Sequence, residues 1–254
     1  MTLFEARQLT WPKMKELASA GTVALLPVGS TEAHGPHLPL SVDVVIAEEV
    51  CKRVAAKLSR DCVVFPAVTY ALTDFAAPFS GTVTLNAEVA RQMIEGILKG
   101  IRSGGFSTIA VINHHLEPAH FKVVHEAAKA VEGVVVPDHR RKPTGPLLGH
   151  EFMHGGSHAG KYETSLMLAA APALVNVAAM KALPTLEIDL PGVIKGGAKN
   201  FLECGGPDAY FGAPAEATAE EGERLFSIIV DGSVAAIESA LTPTLSHGER
   251  EKTS

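Results

Sequence analysis

Short apolar runs alternate along the chain with longer segments in which apolar residues recur every three or four positions. Such runs are typical of strands buried on both faces, and such segments are typical of amphipathic helices. The predicted strands are residues 22–28, 63–68, 107–113 and 134–136. The predicted helices are residues 44–58, 86–101, 121–131, 158–170 and 215–241. This alternation predicts an α/β fold in which helices cover both faces of a mostly parallel sheet.

Individual polar residues and glycines refine the ends of these elements. Asp43 and Asn86 stand where a helix N-cap is favoured. Gly222 and Gly232 are predicted to interrupt the last helix, because glycine is a poor helix former. Residues 138–157 are polar and contain proline and glycine, which predicts a loop at the carboxyl edge of the sheet.

Composition narrows the class of protein. A chain of 254 residues with 46% hydrophobic and 20% charged residues fits one domain over residues 1–241, followed by a disordered tail at 242–254. A net charge of -6 without a basic run argues against binding to nucleic acid or to a membrane. Three scattered cysteines, together with no signal-peptide pattern and no apolar run of membrane length, favour the cytoplasm.

Carboxylates and imidazoles follow two of the predicted strands. Glu32, His34 and Asp43 lie in a loop with glycine and proline after the first strand, and His115 and Glu117 follow the third strand. Residues two apart in an extended segment face the same side, so each loop presents a carboxylate beside an imidazole. These are ligands of zinc, manganese and iron, and the carboxyl ends of parallel strands meet at one edge of a sheet.

The number of candidate ligands points to a centre with two metals. Two ions with three protein ligands each need six contacts, and five side chains supply them if Asp43 bridges the ions. Zinc is the first choice, with manganese or iron as alternatives. Each signal is weak alone, because a Glu-x-His pair is usually a solvated loop and Asp43 could simply cap a helix. Their joint occurrence favours a metal site. We interpret four of the other histidines as structural: His37, His114, His120 and His125.

Residues 27–43 follow nearly throughout the pattern Pro-x-Gly-Ser-x-Glu-x-His-Gly-x-His-Leu-Pro-x-x-x-Asp. In this pattern the chain resembles the creatininase family, the creatinine amidohydrolases, and further matches extend the resemblance over about residues 5–240. The resemblance implies a three-layer α/β/α, creatininase-like enzyme that forms a homo-oligomer, a hexamer, and acts on a small molecule with two divalent metal ions.

The resemblance also assigns roles to individual residues. Glu32, Asp43 and His115 would hold one metal, and the other would be held by His34, Asp43 and Glu117. His158 would act as the general acid/base. Glu163 would orient the site or reach the metal.

The expected reaction is hydrolysis of a non-peptide C–N bond in a small cyclic amide or formamide, by attack of a metal-bridging hydroxide. There are three alternatives. The first is hydrolysis of a cyclic ketone, cyclic diketone or sugar-derived carbonyl compound, the second is cleavage of small peptides, and the third is non-catalytic metal-dependent binding.

Members of the family that act on creatinine close the pocket with tryptophans, whereas the only tryptophan here is Trp11. A polar pocket wall is predicted instead, and creatinine is not the expected substrate. The residues of this predicted wall are Arg140, Arg141, Lys142, His150, Glu151 and His154.

Overall fold

Five parallel strands form the central sheet of the computed structural model, which describes residues 2–155 and 157–242. The strands are β1 (Leu3–Glu5), β2 (Val23–Val28), β3 (Cys62–Val64), β4 (Ile109–Asn113) and β5 (Val134–Val135). Their order across the sheet is β1-β3-β2-β4-β5. The four predicted strands are confirmed; three are shorter than predicted, and β3 begins one residue earlier and ends four residues earlier. The edge strand β1 was not predicted because its three residues carry no clear pattern. Apart from residue 242, the predicted tail lies outside the described residues.

Helices cover both faces of this sheet. They are α1 (Trp11–Ser19), α2 (Val42–Lys57), α3 (Ala87–Ser103), α4 (Pro118–Lys129), α5 (His150–His154), α6 (Lys161–Ala170), α7 (Val177–Ala182), α8 (Leu190–Lys195) and α9 (Ala219–Leu241). The core on one face joins Val23 and Leu25 to α2, α6 and α9. The core on the other face joins Ala24 and Leu26 to α1, α3 and α4. Alternate side chains of β2 therefore enter opposite cores, which confirms the predicted three-layer α/β/α fold.

Two of the predicted helix details are wrong. Ser41, not Asp43, occupies the N-cap position of α2, and Asp43 lies buried in the first turn. The last helix, α9, is continuous through its glycines. A Cβ at Gly222 would lie 2.0 Å from the carbonyl oxygen of Ser165, so glycine here permits close packing of α9 on α6. The predicted cap at Asn86 is confirmed, since its side chain accepts a hydrogen bond from the Glu88 amide at 2.9 Å.

The segment predicted as a loop at residues 138–157 contains regular structure. A 3-10 helix spans Gly145–Leu148 and is followed by the single turn of α5. The next helix, α6, begins at Lys161, so His158 lies in the turn that precedes it. Among the described residues, no helix is both long and apolar enough to cross a membrane.

Candidate metal centre

The two predicted ligand loops meet at the carboxyl edge of the sheet. Strands β2 and β4 are neighbours, and Val28 pairs with Asn113 at their last positions. The loops that follow these residues therefore leave the sheet side by side. Gly29 lets the first loop pass close to α2, since a Cβ there would lie 2.9 Å from the Cβ of Asp43. This close approach places Asp43 of α2 beside the residues of the two loops.

Glu32, Asp43 and His115 form the first group of potential ligands, with one ligand atom from each within 4.8 Å of the others. Nδ1 of His115 lies 3.1 Å from Glu32 Oε1 and 3.1 Å from Asp43 Oδ2. Nε2 of His115 lies 2.9 Å from the carbonyl oxygen of Leu72. Because a carbonyl only accepts, Nε2 carries the proton and leaves the lone pair of Nδ1 for a cation. The Thr73 hydroxyl donates to the other oxygen of Glu32 and holds that carboxylate in place.

His34, Asp43 and Glu163 form a second group with the same close spacing. Nε2 of His34 lies 3.4 Å from Asp43 Oδ1 and 3.5 Å from Glu163 Oε2. Its Nδ1 donates to the carbonyl oxygen of Glu32 at 3.1 Å. Nε2 is buried and has no hydrogen-bond partner in the described part of the chain. A buried nitrogen lone pair surrounded by carboxylates is what a divalent ion requires, so these residues fit a metal.

Asp43 belongs to both groups and faces each with a different oxygen. Oδ2 accepts a hydrogen bond from the Ser30 hydroxyl at 2.8 Å and lies near His115, whereas Oδ1 lies near His34. One carboxylate thus lies between the two imidazoles. This is the arrangement that a bridging ligand needs.

The negative charges of the buried carboxylates also favour binding of cations at the centre. Burial raises the pKa of Glu163 to about 8 and that of Glu117 to about 7. Burial alone would lower the pKa of His34, but the neighbouring carboxylates, Asp43 above all, raise it to about 10. Protons therefore accumulate on the centre when no other cation is near. Divalent ions would replace these protons and balance the negative charge of Glu32, Asp43 and Glu163.

The structure separates Glu117 from the second group. Its Oε2 accepts a hydrogen bond from the Phe75 amide at 3.3 Å, and its side chain lines the cavity beside the centre. The described chain has three groups of potential ligands, the third being Glu32, His34 and His158, and Glu117 belongs to none of them. Glu163 stands beside His34 and Asp43 instead. The metal-binding role of Glu117 therefore stays a prediction.

His158 lies against the centre at the cavity. Its Nε2 donates to the carbonyl oxygen of Ala33 at 3.0 Å, and its Nδ1 lies 4.0 Å from Glu32 Oε1. The ring stands between those of His34 and Phe201, at centroid distances of 4.4 and 4.2 Å. Burial, followed by the charge of His34, lowers the pKa of His158 to about 4. The neutral ring has a free lone pair on Nδ1, which suits either a proton acceptor or a further ligand.

A cavity of about 330 Å³ adjoins the centre and is largely apolar. Its apolar lining consists of Phe75, Leu116, Pro118, Leu190, Pro191, Ile194 and Phe201. Most of these residues come from segments without a recognisable motif, so the sequence contained no signal for them. Trp11 is 77% exposed and does not line the cavity, as predicted from its position.

The predicted polar wall is wrong for this cavity. The guanidinium of Arg140 is paired with Asp138 and lies over the ring of Phe121. His150, Glu151 and His154 line a different cavity of about 510 Å³, because the turn of α5 directs them there. The polar residues of the segment 138–157 therefore do not form the wall of the cavity beside the metal centre.

The structural interpretation of His37, His114, His120 and His125 stays a prediction. His37 and His120 are buried and bond to Thr164 and Asn113, at 2.9 and 3.0 Å. His114 points away from His115 and stacks between His139 and Tyr162. In the described chain, none of the four histidines interpreted as structural belongs to a group of potential metal ligands.

Known proteins with similar sequences and folds indicate the family of the chain. A family model described as creatinine amidohydrolase matches residues 7–237. A mycofactocin precursor peptide peptidase from Mycolicibacterium smegmatis is 31% identical over 232 residues, which are 86% of this chain and 85% of the relative. A creatinine amidohydrolase from Pseudomonas putida is 27% identical over 263 residues, 93% and 97% of the two chains. A crystal structure of creatinine amidohydrolase superposes with a TM-score of 0.75 at 25% identity, covering 94% of this chain and 98% of that one.

A parallel α/β sheet with buried carboxylates and imidazoles at its carboxyl edge forms a centre suited to metal. The chain belongs to the creatininase family, and it is an amidohydrolase of that family. The prediction of an enzyme is confirmed, and the alternative of a non-catalytic binding protein is not supported.

Proposed function

We propose that the enzyme hydrolyses the C–N bond of a small amide at a centre of two divalent metal ions, with zinc as the first choice. Glu32, Asp43 and His115 would hold one ion, and the other would be held by His34, Asp43 and Glu163. The observation that carries this proposal is the position of Asp43, whose two oxygens lie 3.1 Å and 3.4 Å from the ligand nitrogens of two different histidines.

The ions, when bound, supply a water that is acidic near neutral pH and an electrophile for the substrate carbonyl. The chain supplies orientation and proton transfer. The Leu72 carbonyl and the hydroxyls of Ser30 and Thr73 fix the ligands in the rotamers that face the centre. These contacts remove the need for rearrangement when substrate enters.

We propose that His158 moves the proton. It is neutral near pH 7, its Nε2 proton is held by the Ala33 carbonyl, and its Nδ1 lone pair lies at the centre. Nδ1 would accept a proton from the attacking water and deliver it to the departing nitrogen as the C–N bond breaks. The products are a carboxylic acid and an amine, which accounts for both hydrogens of the water.

The expected substrate is a small cyclic amide or a formamide. A small peptide is the second candidate, favoured by the identity of 31% to a peptide peptidase over 86% of this chain. Creatinine should be a slow substrate, because no tryptophan lines the described cavity.

Metal analysis followed by a substrate panel tests the proposal. Protein purified without chelator should contain close to two metal equivalents per chain, and chelation should abolish hydrolysis of lactams, hydantoins, N-formyl amino acids or dipeptides. Zinc or manganese should restore it. A metal-free protein with full activity would refute the proposal, and so would a loaded protein that cleaves a cyclic ketone but no C–N bond. Light scattering of the same sample measures the homo-oligomer that we propose with this activity.

A further inference from the structure

One basic side chain stands out on the wall of the cavity beside the metal centre. Lys195 is the only lysine or arginine among the described residues that line it. We propose that Lys195 binds a carboxylate of the substrate, so that the enzyme selects amides that carry a carboxylate away from the bond that is cleaved. This inference rests on the proposed function and names the substrate class of the same site.

The position of Lys195 follows from the geometry of α8. Leu190, Pro191, Ile194 and Lys195 all line the cavity, and their spacing of four places them on one face of this short helix. The side chain of Asp189 accepts a hydrogen bond from the Gly192 amide at 3.1 Å and caps the helix start. The last turn of α8 therefore carries an ammonium group on the same face as two apolar contacts for substrate.

Close packing holds α8 over the cavity. Gly155 has φ +88°, and a Cβ there would lie 2.3 Å from Pro191 Cδ and 2.8 Å from Leu190 Cβ. Only glycine permits this approach between the chain before His158 and α8. The helix is thus fixed relative to the metal centre, and Lys195 extends from a defined position.

The ammonium of Lys195 is available for an external anion. Among the described residues, no carboxylate oxygen lies within 4.0 Å of it. Lys161, near the other cavity, pairs instead with Glu216 at 3.4 Å. Three acidic residues line the cavity. Glu32 and Glu163 would be neutralised by the metals that they hold, and Glu117 accepts a hydrogen bond from the Phe75 amide at 3.3 Å. Because Lys195 itself is exposed at the rim of the cavity, solvent would partly screen its pairing with a carboxylate.

The surroundings of Lys195 indicate the chemistry of the ligand. A single ammonium matches the single charge of a carboxylate, and no second basic residue of the described lining would match a phosphate. Ile194 and Phe201 offer contacts for an aliphatic or aromatic body between the carboxylate and the amide. N-acyl amino acids and short peptides with a free carboxyl terminus have this form.

Binding of two matched probes tests the inference without requiring turnover. N-acetyl-L-leucine and N-acetyl-L-leucinamide differ only in the carboxylate, and their affinities for the full zinc-loaded chain are measured by titration calorimetry. We expect the acid to bind about three- to tenfold more tightly than the amide, the range for a partly screened charge pair. Lys195→Gln should abolish this preference, and Lys195→Arg should keep it. Lys199→Gln is the matched control, because Lys199 is exposed nearby but does not line the cavity.

The outcomes separate this inference from the proposed function. An acid preference that persists in Lys195→Gln would place the carboxylate on the metals and overturn the role of Lys195. Equal affinities of the two probes for the unsubstituted protein would also overturn it. Either of these two results, together with hydrolysis of neutral amides by the unsubstituted protein, would leave the proposed function standing while this inference fails. Loss of the acid preference in Lys195→Gln alone supports it even if no member of the substrate panel is cleaved.

Discussion

The floor and the wall of the cavity are built in different ways. We call the metal centre the floor: Glu32, His34, Asp43, His115 and Glu163, each at most 2% exposed. Glu32, His115 and Glu163 line the cavity directly. Hydrogen bonds with a neighbouring backbone carbonyl and with two hydroxyl groups fix His115, Asp43 and Glu32. The wall consists of α8 and Phe201, which are held mainly by apolar packing, and Lys195 at its end is exposed.

This difference separates chemistry from selection. Buried charged groups are costly unless each has a partner, so the residues of the floor leave little freedom for substitution. A wall of apolar contacts tolerates changes in shape more readily. We expect changes in the floor to remove metal or turnover, and changes in the wall to alter which substrates bind. The following predictions test that division, from the largest expected effect to the smallest.

Asp43→Asn should have the largest effect, because Asp43 faces both histidines of the floor. Metal content should fall from two equivalents to fewer than one. Hydrolysis should fall roughly 10³-fold or more, since metal activation contributes several kcal/mol and each 1.36 kcal/mol is tenfold. Elemental analysis and initial rates measure both effects.

Glu151→Gln is the control for Asp43→Asn. Glu151 is a largely buried carboxylate that accepts hydrogen bonds from the amides of Tyr162 and Ala213, outside the centre. This substitution should lower stability while metal content stays unchanged. If Asp43→Asn keeps both metals, the bridging role is wrong.

His158→Ala should reduce turnover by about 10²–10⁴-fold, the range for loss of a general acid/base. Metal content should stay intact, because both three-residue groups of the floor are complete without His158. The loss should lie in kcat rather than KM, and a substrate with a better leaving group should recover part of it. Loss of one metal equivalent instead would make His158 a ligand, since it also stands within reach of Glu32 and His34.

Glu163→Gln and Glu117→Gln distinguish the two candidates for the second ion. Because Glu163 stands beside His34 and Asp43, Glu163→Gln should weaken one of the two sites by at least the 10–100-fold typical of altered metal surroundings. Glu117→Gln should retain both ions. Titration of the metal-free proteins with zinc measures the two affinities. The reverse result would restore the assignment that the family resemblance implied for Glu117.

The sequence predicted the floor better than the wall, for a physical reason. Glu32, His34, Asp43 and His115 follow strand ends, where residue types, spacing and sheet topology determine which side chains meet. Lys195 and Phe201 reach the cavity through the packing of α8, and neither belongs to a pattern in the sequence. The apolar runs predicted that both faces of the sheet are buried. The order of the strands and the presence of β1 could not be predicted, because they depend on pairing between distant segments.

The free energy of unfolding of the metal-free protein should depend on pH, because residues of the floor bind protons in the folded chain. Above about pH 7, histidines with lowered pKa values, such as His158, are neutral in both folded and unfolded chains. Glu163, with its pKa raised to about 8, and His34, raised to about 10, still hold protons that the unfolded chain has lost. Stability should therefore fall as the pH rises from about 7 to 9, by up to about 1.4 kcal/mol per pH unit for each proton.

Thermal unfolding at several pH values, with chelator and with zinc, measures this effect. Zinc replaces the protons, so the fall should be weaker in the loaded protein, and Glu163→Gln should reduce it in the metal-free one. A chelated protein whose melting temperature does not change over this range would contradict the assigned charges.

Gly155→Ala should have the smallest effect on the chemistry, because it acts on the wall alone. A methyl group at Gly155 would meet Pro191 and Leu190 and displace α8. Metal content and kcat should stay close to those of the unsubstituted protein, while KM rises by about tenfold, the effect of losing ~1.4 kcal/mol of binding free energy.

Gly149→Ala is a matched control for Gly155→Ala. Gly149 also has a positive φ, +102°, but a Cβ added there would have no atom within 4 Å. Both variants carry the backbone strain of alanine in this region, so a rise of KM in Gly155→Ala alone isolates the packing of α8. Equal changes in the two would show that α8 does not shape the substrate site, and loss of metal in Gly155→Ala would show that floor and wall are not independent.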